Sequence, residues 1–497
     1  MLFQVDALER EVLEVLSLVR SIKNSFAPIN QIPPEVFSRI LDYYDEHGKD
    51  SKDRYLIMLT HVCRSWRNTF ISCPSLWTQL HFANVEQTRA YIQRSRSSPL
   101  EFNLGLFNVI NAFPLAIPHI PRLKSLVFKG IDNPLNLLEN FVCHMPLLEK
   151  LDITGALWEQ TIDYALFNGD LSSLRELRLH RVVTNFPWKN MANLRIVDLE
   201  YDFHEFGTAQ MLDFFESAPL LHTVLLQFPM PDSSDAPPER TVFLRHLKTF
   251  AINADPTHSV LLKHLQIPFG THVISDFRLN KDSPFPDHLP VESLNFRNLS
   301  RITTMNLHLE EREKCVRLSG PSGSLLVQIF TFPLDIGPSV IDRRIFHSLV
   351  PSLSKIQNFV ISEHDYRRLL QVGKCPIFQT LSSMNDLQML TLINCDNRGF
   401  IRALDPKQHP SNLVLCPKME KLVLFVDSPS QICVWRLVRM AKNRASRGAK
   451  LSLVKVVDLG DLKLGRKVSG LSKHVMGVKY RVGGMLPAWD AVPGEGE

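Results

Sequence analysis

A chain of 497 residues has room for about three domains, and its 44% hydrophobic and 22% charged content is ordinary for a globular protein. A formal charge of +5 is too small at this length to set up the long-range field of a nucleic-acid binder. No run approaches the ~18 apolar residues of a membrane span, and Met1-Leu2-Phe3-Gln4 leads into Glu and Arg instead of an apolar signal core. The eight cysteines are scattered, without a CxxC pair. The expectation is a soluble protein of a reducing compartment, cytoplasmic or nuclear.

The first predicted element is a helix. Val5, Leu8, Val12, Val15, Val19, Ile22 and Phe26 follow one another at steps of 3, 4, 3, 4, 3 and 4, with Glu9, Arg10, Glu11, Glu14 and Arg20 around them. That is a heptad seam about three heptads long, the shortest length at which a coiled coil is read. Two readings stand: a helix that self-associates or binds a partner, and a helix folded back over the segments that follow.

Next comes Ile32-Pro33-Pro34-Glu35-Val36. Each proline disfavours the α region in the residue before it, and Pro34 suits the first turn of a helix, where its missing N–H costs nothing. Glu35 complements the positive helix end. Val36, Ile40 and Tyr44, or Phe37 and Leu41, give that helix an apolar face. A second apolar helix is predicted to end in Leu59-Thr60-His61-Val62-Cys63-Arg64-Ser65-Trp66-Arg67, and Pro74-Ser75-Leu76-Trp77 closes the stretch.

In this ordered set, about fifty residues long, the chain resembles the F-box, the helical module that docks onto the Skp-type adaptor of cullin–RING ubiquitin ligases. The link from Asp45 to Arg54 is more polar than the compact module carries. The resemblance implies an adaptor-binding set of Ile32, Pro33, Pro34, Val36, Ile40, Leu59, Val62, Cys63, Trp66 and Trp77. Trp66 and Val62 are expected to be shared between core and interface, and Trp66→Ala to cost about 3–5 kcal/mol if the ring is buried.

Beyond Trp77 an apolar triplet at i, i+3 and i+5 recurs: Leu123/Leu126/Phe128, Leu148/Leu151/Ile153, Leu174/Leu177/Leu179, Leu194/Val197/Leu199, Leu221/Val224/Leu226 and Leu247/Phe250/Ile252. The steps of 25, 26, 20, 27 and 26 fall within the window of about 20–29 of leucine-rich repeats. The last two positions of each triplet lie two apart on a short strand and face one core. Segments 135–142 and 210–215 read as short return helices stopped by Pro146 and Pro219.

The rhythm continues at Ile274/Phe277/Leu279 and Ile302/Met305/Leu307, then fades from 310 to 351, where Gly320-Pro321-Ser322-Gly323 reads as a turn. It resumes at Ile356/Phe359/Ile361, Leu387/Leu390/Leu392, Met419/Leu422/Leu424 and Val454/Val457/Leu459. A helix is predicted over 431–442, a last strand over 478–482 and a disordered tail over 483–497.

The predicted fold class is therefore α/β, an irregular leucine-rich-repeat solenoid with short parallel strands on its concave face and return helices on its convex face. Its predicted parts are 1–26, a heptad helix; 27–82, the F-box-like module; 83–482, the solenoid; and 483–497, the tail. Irregular repeats after an F-box resemble the substrate receptors of fungal ligases. That resemblance implies a non-catalytic subunit that holds a protein target, with the F-box-like helices as a mere solenoid cap as the alternative.

Chemical constellations are weak. Gly460-Asp461-Leu462-Lys463-Leu464-Gly465-Arg466-Lys467 misses a phosphate loop at both chemical positions. His258 and His264 have no third ligand nearby, so no metal and no cofactor are expected. No nucleophile elbow is present, and Cys63 reads as a buried thiol. The basic run Arg436, Arg439, Lys442, Arg444, Arg447 and Lys450 reads as a solvated helix face, without the interleaved aromatics of a single-strand binder. Strand alternation turns Asp152, Arg178, His180, Asp198, Glu200 and Gln227 outward, and these are the candidate target-binding residues.

Overall fold

The structure is a computed structural model. It describes residues 2–33, 35–36, 39–40, 52–105, 109–131, 135–155, 160–162, 166–184, 189–200, 208–227, 240–254, 261, 264–268, 270–279, 302–309, 313–320, 323–331, 354–363, 381–395, 397–409 and 412–483. It is mixed α/β, with an N-terminal helix and parallel sheets, in two compact units, Met1–Asn190 and Met191–Glu497. Among the described residues no helix is long and apolar enough to cross a membrane.

The first unit opens with helix α1 (Leu2–Ser25) and a 3-10 turn, Pro28–Gln31. Helices α2 (Lys52–Thr60) and α3 (Arg64–Ser72) follow, then the turn Pro74–Trp77, strand β1 (Gln79–Leu80) and helix α4 (Val85–Ser95). The Asn84 side chain starts α4 by accepting the Gln87 N–H at 2.7 Å. Strands β2 (Leu100–Leu104), β3 (Leu123–Ile131), β4 (Lys150–Gly155) and β5 (Glu176–His180) then add to β1 in chain order, all parallel.

The register of this sheet explains the triplets. Leu80, Phe102, Leu126, Leu151 and Leu177 stand in one row across the strands, and Leu104, Phe128, Ile153 and Leu179 in a second. All are essentially buried, and a fully buried side chain of this kind contributes about 1.5–3 kcal/mol. The ladder begins two strands before the first predicted triplet. Pro99 and Phe102 hide it from a leucine count, so the sheet starts inside the stretch assigned to the helical module.

In the second unit β6 (Ile196–Glu200), β7 (Thr223–Gln227), β8 (Thr249–Ala254) and β9 (His272–Leu279) pair in parallel, with helix α5 (Thr208–Ser217) between the first two. In the irregular middle the described residues form β11 (Glu313–Gly320) and β12 (Gly323–Thr331), which make a three-stranded antiparallel meander with the preceding β10 (Thr304–Leu309). It lies in the sheet in reverse, so that β12 pairs with β9 and β10 pairs with β13 (Asn358–Glu363), both in parallel. Among the described strands of this sheet, β11 alone runs against its neighbours. Gly320 faces Gly323 across the hairpin, where a turn is expected.

Strands β14 (Met389–Ile393), β15 (Lys421–Val426), β16 (Leu453–Asp458) and β17 (Gly477–Val482) complete the parallel run. Helix α6 (Asn397–Leu404) follows β14, and α7 (Val434–Ala445) follows β15.

Three expectations shift in register. Val273, not Phe277, continues the row of Val224 and Phe250, and it is fully buried. In β16 the buried row is Leu451, Val454 and Val456, because Val454 pairs with Leu422 and Val456 with Leu424. Helix α7 begins at Val434 instead of Gln431, since Ser428 caps a separate 3-10 turn, Pro429–Gln431. Residues 484–497 and the histidine His258 lie outside the described residues.

The second unit carries buried polar anchors. Asp458 is fully buried and accepts the Leu462 N–H at 2.8 Å and the Tyr480 hydroxyl. The loop that resembles a phosphate cradle is thus turned toward an internal carboxylate. Its Gly460 is required by close approach, because a Cβ there would stand 2.1 Å from the Asp427 carbonyl oxygen.

His222 gives this unit a pH dependence. Its ring lies 6.1 Å from that of His246. Burial, and then the charges of Lys248, Arg195 and His246, hold its pKa below the ordinary 6.5. A histidine depressed on folding stabilises the fold above its unfolded pKa and loses that contribution as pH falls through the folded value. The melting temperature is expected to drop on acidification from about pH 7 to about pH 5, and His222→Gln to flatten the drop. A wild-type profile flat over that interval contradicts this reading.

Candidate functional site

The motif-bearing segment is built around two short helices and the turn before them. The predicted second helix does not run through Cys63. It stops at Thr60, and Cys63, extended at φ −157° and ψ 171°, caps the next helix, its sulfur accepting the Trp66 N–H at 3.5 Å. Arg67 ties the two helices by donating from Nε to the Thr60 carbonyl at 2.9 Å. The Trp66 indole N–H donates to the Asn30 side chain, and Asn30 donates to the Asn24 carbonyl. The turn that carries Ile32 and Pro33 is thereby fastened to α3. Phe70 and Leu56 fill the interior beneath, and the Trp66 ring meets Phe70 edge-on at 5.8 Å.

What remains outside is apolar. Val36 is 43% exposed, Ile40 52% and Val62 58%, with Ile57 and Met58 exposed beside Val62 in the sequence. Leu59, Ile32, Cys63 and Trp66 are half-buried, and Pro33 is exposed. Residues 35–36 and 39–40 are helical; Pro34, Phe37, Leu41 and Tyr44 lie outside the described residues, as does the polar link before Lys52. Most of the large apolar side chains that face solvent among the described residues belong to 5–71. Exposed apolar surface of this kind marks protein docking more often than catalysis.

Trp77 is a correction. It is 1% exposed, its indole N–H donates to the Phe70 carbonyl at 2.8 Å, Tyr91 packs edge-on at 5.0 Å, and the Arg94 guanidinium covers the ring at 4.2 Å. A ring enclosed on these sides joins the short helices to α4 and has no face left for a partner.

The outward strand residues also divide. Asp152 and Arg178 are neighbours in register, and His180 lies on the same face. Asp152, however, is only 5% exposed, because Lys129 lies over it with Nζ at 3.5 Å. Arg178 is held by Glu176 at 2.7 Å. In the second unit Glu200 and Gln227 are paired neighbours, while Asp198 is withdrawn to 6% on a strand covered on both faces. Asp152 and Asp198 are therefore removed from the candidate binding surface; Arg178, His180, Glu200 and Gln227 keep at least partial access.

The basic run on α7 hides a feature the sequence reading passed over. Trp435 is 59% exposed, with the guanidinium carbons of Arg436 and Arg439 at 5.3 and 5.2 Å from its ring centre. With Ile401, Arg402, Asp405 and Gln408 they line a recess of about 300 Å³. Its one carboxylate, Asp405, is buried and already accepts from Arg439 Nε at 3.1 Å and Asn443 Nδ2 at 2.8 Å. The recess therefore presents guanidinium N–H groups to an anion. The pairing of an exposed tryptophan with arginines one and four residues later is the signal that could have found it.

Arg444 does not belong to this solvated face. It is fully buried and donates to the Leu415 and Cys416 carbonyls at 2.7 and 2.9 Å. Among the described residues no group of three or more His, Cys, Asp or Glu side chains could hold a metal ion. No protein-family model matches the chain, and no curated protein matches it.

Proposed function

We propose that the chain is the substrate-recognition subunit of a cullin–RING ubiquitin ligase of the Skp-adaptor type. The helices around Val36, Ile40 and Val62 dock the adaptor, and the repeats, a leucine-rich solenoid in this reading, hold a protein target. The protein performs no chemistry of its own. It raises the effective concentration of the target at the transfer site, in the cytoplasm or nucleus, without cofactor, nucleic acid or membrane.

The observation that carries the reading is the outward placement of Val36, Ile40 and Val62 on a segment whose own core is filled by Leu56 and Phe70. Capping of the first repeats would bury them. A second reading, a repeat scaffold capped by these helices, is favoured by the burial of Trp77 against Tyr91, which makes the closing turn continuous with the sheet. For the target, the arginine recess beside Trp435 supports an acidic segment as the element held.

The two readings separate in one binding experiment with the full-length chain and a purified Skp-type adaptor. The ligase reading expects a 1:1 complex that Val62→Glu weakens by about thirtyfold or more, the scale of an interface hot spot, with the circular dichroism spectrum unchanged because Val62 is exposed. The scaffold reading expects no complex.

A further inference from the structure

The strongest unexplained surface is α1. Its seam residues from Val5 to Phe26 are between 52 and 76% exposed. Leu13, Leu16 and Leu18 beside the seam are exposed as well. The helix meets the rest of its unit at α3 and at the turn Pro28–Gln31, near the Asn24 carbonyl that Asn30 fastens. The fold-back reading of this helix is therefore not what the structure shows. A helix of 24 residues, about 36 Å long, leaves every seam residue in water, and covering that seam would add to its stability.

We propose that the cover is α1 of a second copy of this chain, packed antiparallel. The argument is self-complementarity. With Val5, Val12, Val19 and Phe26 at a and Leu8, Val15 and Ile22 at d, two copies related by a two-fold axis near Ser17 bring Val12, Val19 and Phe26 opposite d residues, while Val5 lies beyond the paired stretch. Val12 meets Ile22, Val19 meets Val15, and Phe26 meets Leu8. The flanking positions decide the orientation. Antiparallel pairing sets e against e and g against g, so Glu9 faces Lys23 of the other copy at both ends, while Leu16 and Leu18 meet their own counterparts at the axis. Parallel pairing sets g against e, and would place Glu11 on Leu16 and Leu18 on Lys23, leaving both charges against leucine. Only the antiparallel pair matches charge with charge and leucine with leucine.

The full-length chain in sedimentation equilibrium tests this. A concentration-dependent dimer is expected for the wild type. Val15→Glu is expected to give monomer with unchanged secondary structure, since the site is exposed. Lys23→Glu sets Glu9 against a second glutamate twice over and is expected to weaken association about tenfold. The double variant Glu9→Lys/Lys23→Glu is expected to restore the wild-type constant within about twofold. A wild-type chain that stays monomeric at the highest concentration tested overturns the proposal, and so does a dimer insensitive to Val15→Glu. A dimer that the double swap fails to rescue overturns the antiparallel pairing. Adaptor binding is read separately, so failure here leaves the ligase reading standing or falling on its own experiment.

Discussion

Replacing Trp77 by alanine is expected to destabilise the first unit by about 3–5 kcal/mol, the range for emptying a buried indole site. The ring is 1% exposed and is enclosed by Tyr91 at 5.0 Å and Arg94 at 4.2 Å. Alanine removes all of these contacts and leaves α4 without its main link to the turn Pro74–Trp77. Trp77→Phe separates the packing from the hydrogen bond. It keeps most of the apolar volume and gives up the indole N–H to the Phe70 carbonyl, which still receives the Cys73 N–H at 3.4 Å. Its cost is expected to be about 1–2 kcal/mol. Urea denaturation followed by tryptophan fluorescence and circular dichroism reads both values. If Trp77→Ala cost less than Trp77→Phe, the ring would not be the enclosed core element the geometry describes.

Arg444→Met is expected to destabilise the second unit by about 2–4 kcal/mol. The guanidinium spans the Leu415 and Cys416 carbonyls, and methionine fills the space while leaving both oxygens without the charged donor. Burial opposes this gain, since it pulls the Arg444 pKa down from its usual value, and a buried charge costs free energy of its own. The loss of the donor wins in sign because the Leu415 carbonyl gives up a charged partner in the interior, although the Cys416 carbonyl keeps the Met419 N–H at 3.1 Å. Arg444→Lys is expected to recover only part of the loss, as an ammonium cannot bridge two acceptors with the fork of a guanidinium. The same burial pushes the neighbouring Cys416 thiol up to about 12, so Cys416 is expected to resist alkylation in the native chain and to react when Arg444→Met loosens the site. A methionine variant as stable as the wild type would show that desolvation dominates instead.

The leucine rows were legible from sequence because period and burial coincide: Leu151, Leu177, Val224 and Leu390 point inward wherever the triplet is strong. Where the chain leaves the repeat, the triplet fails for a physical reason. β10 keeps its triplet, with Met305 and Leu307 in the rows of Phe359 and Ile361, but β11 and β12 pair by two-residue alternation in an antiparallel hairpin, so no i, i+3 spacing is required of them. Alternation also tells which side of a strand a residue takes but not how deep that side lies, which is why Asp152 and Asp198 look accessible in sequence and are buried in the fold. Trp77 is ambiguous for a related reason, since Pro-Ser-Leu-Trp is the same string whether the indole meets a partner or the core. Trp66 is half-buried, so the sequence expectation of a full indole cost applies to Trp77 and not to it. Arg444 was readable after all. Leu437, Met440, Ala441 and Arg444 share the spacing of one helix face, and the charge alone made the last of them look solvated.

The proposed function turns on Val36, Ile40 and Val62 as an exposed docking surface for a Skp-type adaptor. Hydrogen–deuterium exchange of the full-length chain, with and without the purified adaptor, tests it most directly. Protection confined to residues 32–40 and 57–66 is the predicted result, with the strands β2 to β5 unchanged. Unaltered exchange across those two segments at saturating adaptor, or protection appearing only in the repeats, would contradict it.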